Sequence, residues 1–217
     1  MLKIASALLL SVAAASAGAQ TFLTATLTDA NENPPTVPTT VGGQPRPASF
    51  GTASFFIDAA STFMTFTATI FNIDVNGTQT PDVNDNLVAA HIHAGPLVTP
   101  TVNGPVVWGF FGTPFNDNNP NDFSFVPFTS GVGGTFSGKW DLAEGNGTTL
   151  SAQLPNILAG RAYINFHTTQ FTGGEIRGNI VSAVPEPESY ALMLAGVAVI
   201  AGVARRRGRA VEAKKSR

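Results

Sequence analysis

The stretch Ala89-Ala90-His91-Ile92-His93-Ala94-Gly95 decides how this chain is read. Histidine is scarce in the 217 residues, and two of the three fall here, two positions apart inside an alternating run. In an extended strand residues of equal parity share a face, so Leu87, Ala89, His91 and His93 are expected on one side and Val88, Ala90 and Ile92 on the other. Gly95 and Pro96 stop the strand. The remaining histidine, His167, sits in a second dense block, Gly160 to Ile180. There Ala162, Ile164 and Phe166 oppose Tyr163, Asn165 and His167, and after the Gly173-Gly174 turn Ile176 and Ile180 oppose Glu175, Arg177 and Asn179.

Alternation continues outward from these blocks. Leu23, Ala25 and Leu27 against Thr24, Thr26 and Thr28 make a half-buried strand. Gly51–Asp58 and Thr62–Asn72 make a hairpin across Asp58-Ala59-Ala60-Ser61, and Phe63 and Phe71 on the polar parity suggest that its second strand is covered on both sides. Gly104–Trp108, Gly133–Trp140 and Leu150–Leu154 are further strand candidates, and Pro155–Gly160 reads as a single helical turn closed by glycine. Asn31 to Pro47, with five prolines and two glycines, can be neither helix nor central strand. Asp74–Asn86 and Asn116–Asp122 are rich in Asp and Asn but lack the register of an EF-hand, and read as surface turns. The Asn-Gly-Thr triplets at Asn76 and Asn146 match the glycosylation sequon. Seven to nine short strands with almost no helical periodicity predict an all-β chain, an antiparallel β-sandwich or barrel.

The Ala-His-Ile-His-x-Gly strand and the block Tyr163-Ile164-Asn165-Phe166-His167-Thr168 … Gly174-Glu175-Ile176-Arg177-Gly178 together resemble the CHRD domain, the module named after chordin. Glu32-Asn33-Pro34-Pro35 and Gly104-Pro105-Val106-Val107 match it as well, so the resemblance spans about Phe22 to Val181. It implies an immunoglobulin-like or superoxide-dismutase-like sandwich over residues 20–183, and it brings no established activity with it.

Both ends differ from the middle. Residues 1–19 read as a signal peptide, with Lys3, an apolar stretch, and small residues before a signal-peptidase cut after Ala19. At the other end Pro185-Glu186-Pro187 leads into an uncharged helix candidate, Tyr190 to Ala204, and then Arg205-Arg206-Arg207. This order, residues 184–207, resembles the PEP-CTERM sorting signal of Gram-negative bacteria, whose processing enzyme is exosortase. Fifteen helical residues span about 22 Å, short of the roughly 30 Å hydrocarbon core, which suits transient insertion in the inner membrane. The three arginines hold the basic tail, residues 208–217, in the cytoplasm and the domain outside. A permanent single-span transmembrane anchor is the competing reading.

The overall charge of −2 hides the sign of the middle. Between residues 20 and 183, eleven acids face only Arg46, Lys139, Arg161 and Arg177, a formal −7 that repels phosphate backbones and argues against nucleic acid as a partner. No cysteine is present, which excludes thiol catalysis and thiolate ligation. Nucleophile elbow, phosphate-cradling loop and helical His-Glu-x-x-His are all missing. The expectation is therefore a protein that is not an enzyme, exported to the cell envelope or extracellular matrix, binding surface polymer such as exopolysaccharide or a partner protein. The alternative is a copper- or zinc-binding or redox-related domain using His91, His93 and His167, with Glu175 and Arg177 in support. An H-x-H strand is similar to that of copper/zinc superoxide dismutases, but three histidines without cysteine cannot build that enzyme's site. Histidines that satisfy one another in a polar seam are the other possibility.

Overall fold

The computed structural model describes residues 20–183 and 194–201. Ten strands, all paired antiparallel, lie in one sheet: β1 (Thr21–Thr28), β2 (Phe50–Ile57), β3 (Phe63–Phe71), β4 (Leu87–Ala94), β5 (Val106–Phe111), β6 (Ser124–Pro127), β7 (Gly133–Asp141), β8 (Ala162–Thr168), β9 (Ile176–Asn179) and β10 (Val181–Ser182). Their order is β5-β4-β8-β9-β1-β2-β3-β7-β6, with β10 on β1. The all-β reading holds. In place of two separate layers, the pairing of β1 with β9 at Thr28 and Arg177 joins the halves into one curled sheet.

Curling lets the alternating apolar positions of both halves meet. Phe66 of β3 packs edge-on against Trp108 of β5 at 5.8 Å, and Trp108 stacks on Trp140 of β7 at 5.5 Å. Phe110, Phe136 and Phe166 close the same aromatic core. Gly138 leaves room for the Phe66 ring, since a Cβ there would meet ring carbon Cε1 at 2.8 Å.

The second expected cover on β3 is missing. Thr67 is exposed and Phe71 is 36% exposed; the outward phenylalanines pack sideways on one another, not under another layer. Phe50 stacks on Phe71 at 4.8 Å, and Phe22 and Phe56 lie at 5.3 Å. Between these clusters cross-strand register lines up hydroxyls. Thr24 faces Ser54, Ser54 faces Thr67, and Thr67 faces Ser137; a row below, Thr26, Thr52, Thr69 and Thr135 repeat the arrangement.

Leu150–Leu154 is not a strand. It opens helix α1 (Leu150–Leu158), so the expected single turn is the end of a longer element. Thr149 caps it by accepting from the Ala152 amide at 3.3 Å. Leu150 and Ile157 are buried and Leu154 packs against the core, so a helical i, i+4, i+7 stripe stands where alternation was read.

One face assignment on β4 also changes. A register shift between Leu87 and Ala89 turns Leu87 inward with Ala90, Ile92 and Ala94, and leaves Ala89, His91 and His93 on the opposite side.

The residues from 183 onward form a unit of their own, and within it 194–201 are helical. No helix among the described residues is long and apolar enough to cross a membrane. The expected signal peptide, Pro185-Glu186-Pro187, Arg205-Arg206-Arg207 and the basic tail lie outside the described residues.

Candidate metal centre

His91 and His93 project from the outer side of β4, and His167 from the same side of the neighbouring β8, where Ala89 faces His167 and His91 faces Asn165. Loops close over this side and all three imidazoles are buried. One ring nitrogen from each lies within 4.8 Å of those of the other two.

Backbone carbonyls dictate which nitrogens carry protons. His91 Nε2 lies 3.1 Å from the Thr113 carbonyl, His93 Nδ1 lies 2.8 Å from that of Gly104, and His167 Nδ1 lies 2.9 Å from that of Thr172. A carbonyl can only accept, so each of these nitrogens is the N–H of a neutral ring. The other nitrogen of each ring is then a lone pair. His91 Nδ1 and His167 Nε2 face each other at 3.1 Å as two such acceptors, and His93 Nε2 is buried without a partner. Asn165 Oδ1 adds a further acceptor 3.0 Å from His167 Nε2, and Glu32 neighbours the same Asn165 side chain.

Protonation does not resolve the conflict at neutral pH. Burial, reinforced by His167 and His93, pushes the His91 imidazole down to about 3. Burial takes His93 down to about 4 against the opposing bond to Gly104, and lowers His167 as well. Unfolding at acid pH returns each group to its ordinary value near 6.5, so the unfolded chain binds more protons. Stability is expected to be complete above pH 6.5 and to fall as pH drops from 6.5 toward 4, by up to about 1.4 kcal/mol per pH unit for each of His91 and His93, with His167 acting in the same direction. Urea unfolding of the metal-free chain at a series of pH values checks this, and a flat profile between pH 7 and 5 would contradict it.

Glu175 is not beside the histidines. It is fully buried, accepts hydrogen bonds from Ser49 and from Thr168 at 2.6 Å, and pairs with Arg46 at 2.8 Å. Arg177 does not form the cross-strand pair with Glu175; its guanidinium lies 3.6 Å over the Tyr163 ring and donates to Asn103 and to the Thr99 carbonyl. Tyr163 in turn stacks under His93, with centroids 4.6 Å apart. The carboxylate beside Asn165 is Glu32, from the Glu-Asn-Pro-Pro loop. Burial raises its pKa, opposed by bonds to Asn33 and Asn165 and by the Arg177 charge. Alternation placed Asn165 on the face of His167, as found, but carried no signal for Glu32, which lies in a loop.

This is an all-β domain with a buried histidine centre, followed by a separate C-terminal segment. The CHRD domain family matches residues 23–180, so the chain belongs to that family. The PEP-CTERM protein-sorting motif matches residues 183–208, which implies exosortase-dependent export across the inner membrane to the cell surface or extracellular space. No curated protein and no solved structure matches the chain significantly.

Proposed function

We propose that this exported domain acts by binding, without turning over a substrate, and that its buried centre holds one copper or zinc ion through His91 Nδ1, His93 Nε2 and His167 Nε2. The observation that carries this reading is the 3.1 Å approach of two acceptor nitrogens with no proton to share. A cation between them converts the repulsion into two bonds. Two ligands about 2.0–2.1 Å from a tetrahedral ion lie about 3.3 Å apart, close to the separation found. Neutral imidazoles are the form that binds metal, and imidazole suits both copper and zinc. The carbonyls of Thr113, Gly104 and Thr172 orient the rings from behind, as second partners of ligand histidines usually do. Asn165 Oδ1, 3.0 Å from His167 Nε2, borders the triad, and burial beneath the loops keeps water away.

The chain recovered from the extracytoplasmic fraction of its own cells, without affinity tags, is expected to carry close to one equivalent of copper or zinc by elemental mass spectrometry. His93→Ala is expected to carry less than a tenth of that. Equal metal in both proteins, or none in wild type even after incubation with either ion, would overturn the proposal.

A further inference from the structure

The histidine centre is roofed by loops and offers no surface to a polymer. The outer side of β1, β2, β3 and β7, on the other half of the curled sheet, does. We propose that this face is a second binding site, for an extended, uncharged polysaccharide chain.

The argument begins with the two hydroxyl rows. Adjacent strands stand about 4.8 Å apart and equal-parity residues repeat about every 6.7 Å, so the rows form a regular lattice of hydroxyl groups. Thr24, Ser54, Thr67 and Ser137 make the first row and all four are exposed. In the second row Thr69 and Thr135 already approach each other at 3.3 Å. Each hydroxyl can donate and accept, which matches a ligand whose own surface is hydroxyl groups of both kinds.

Aromatic rings stand at both ends of the lattice. Phe22, 58% exposed, and Phe56 mark one end; Phe50, 47% exposed, and Phe71 mark the other. From Phe50 to Phe56 along β2 is six residues, about 20 Å. That span is several sugar units, and exposed rings give apolar sugar faces something to lie on at either end.

Charge selects the kind of chain. The domain is acidic, with a formal −7 between residues 20 and 183, whereas β1, β2 and β3 turn no ionisable residue outward. A uronic or sulfated polymer would be repelled by the domain, and the cation on the outer side of β7, Lys139, is already paired with Asp122 and Asp141. A neutral glycan meets neither obstacle, and its attachment would not depend on salt.

The test uses the full chain in mild detergent, applied to insoluble cellulose and curdlan and run in affinity gels containing hydroxyethyl cellulose or alginate. Retention by at least one neutral glucan is expected, unchanged in 0.5 M salt, with no retardation by alginate. Thr52→Asp/Thr67→Asp is expected to weaken retention at least tenfold while melting and metal content stay as in wild type. Phe22→Ser/Phe71→Ser, which leaves the lattice itself intact, should weaken it by a similar factor. No retention on any neutral glucan, salt-sensitive capture by alginate, or variants that bind like wild type would each overturn the proposal. So would glycan-independent effects of the same substitutions: loss of ice-growth inhibition, or dissociation of a dimer, would assign the face to ice or to a second copy of this chain.

Discussion

Zinc added in excess to the metal-free full chain is expected to raise its melting temperature by about 5–10 °C. A ligand that binds only the folded state stabilises it by about 2.7 kcal/mol at a hundredfold excess over Kd, and a chain of this size gains about 2–4 °C for each kcal/mol. His93→Ala should abolish the rise. Removing this ring costs the metal-free protein one bond to the Gly104 carbonyl and the stack on Tyr163, and it deletes the one imidazole whose inward nitrogen has no other partner. The effect has its own pH signature. Because His91 is held near 3 and His93 near 4, protons do not compete with metal until well below neutrality, and the zinc-induced rise should persist at pH 5.5. A surface cluster with ordinary values near 6.5 would lose most of its affinity there. A melting temperature indifferent to zinc and copper in wild type, together with a marked drop in His93→Ala, would leave the histidines a purely structural role.

Glu175→Ala is expected to cost about 3–5 kcal/mol in urea unfolding, the scale found when one partner of a buried ion pair is removed. Arg46, whose side chain is 5% exposed, would keep only carbonyl and amide acceptors, the Thr168 hydroxyl would lose its acceptor, and that of Ser49 would keep only the Asn72 carbonyl. Pairing Glu175→Leu with Arg46→Met should recover much of the loss, since apolar groups of similar volume leave no charge unpaired. Both variants should retain the zinc-induced rise in melting temperature, because the Glu175 network does not bond to the imidazoles. A cost below 1 kcal/mol for Glu175→Ala would mean the pair is not buried as described. Loss of the zinc response with stability intact would return Glu175 to the histidine centre.

Alternation settled most of the fold before any contact was known, because period-two patterning directly encodes which side of a sheet is buried. Leu23, Ala25 and Leu27, the β2–β3 hairpin and the 162–168 strand all read correctly on that ground. It failed where two periods coincide. Leu150, Ala152 and Leu154 alternate, but Leu150, Leu154 and Ile157 also fall on one helical stripe, and the Thr149 cap settled the choice. It failed again at Leu87, where a bulge shifts parity by one, a local irregularity that leaves no mark in residue types.

The sequence by itself determined the scarce elements: three histidines confined to two strands of matching polar parity, an acidic domain, and a sorting motif at the end of the chain. Only the tertiary structure decided their partners. Strand order brings β4 beside β8 and so joins His91 to His167, and the loops over them supply the carbonyls that fix every tautomer. Glu175 left its expected place for the same reason. Adjacency along the chain placed Glu175 near His167, but successive residues of a strand point to opposite sides and a turn can redirect either, so Glu175 meets Ser49, Thr168 and Arg46 instead, while Glu32 arrives beside Asn165 from a loop distant in sequence. The hydroxyl lattice has the same origin. Each strand contributes an ordinary row of Thr and Ser, and only the cross-strand register of β1, β2, β3 and β7 turns four such rows into one surface.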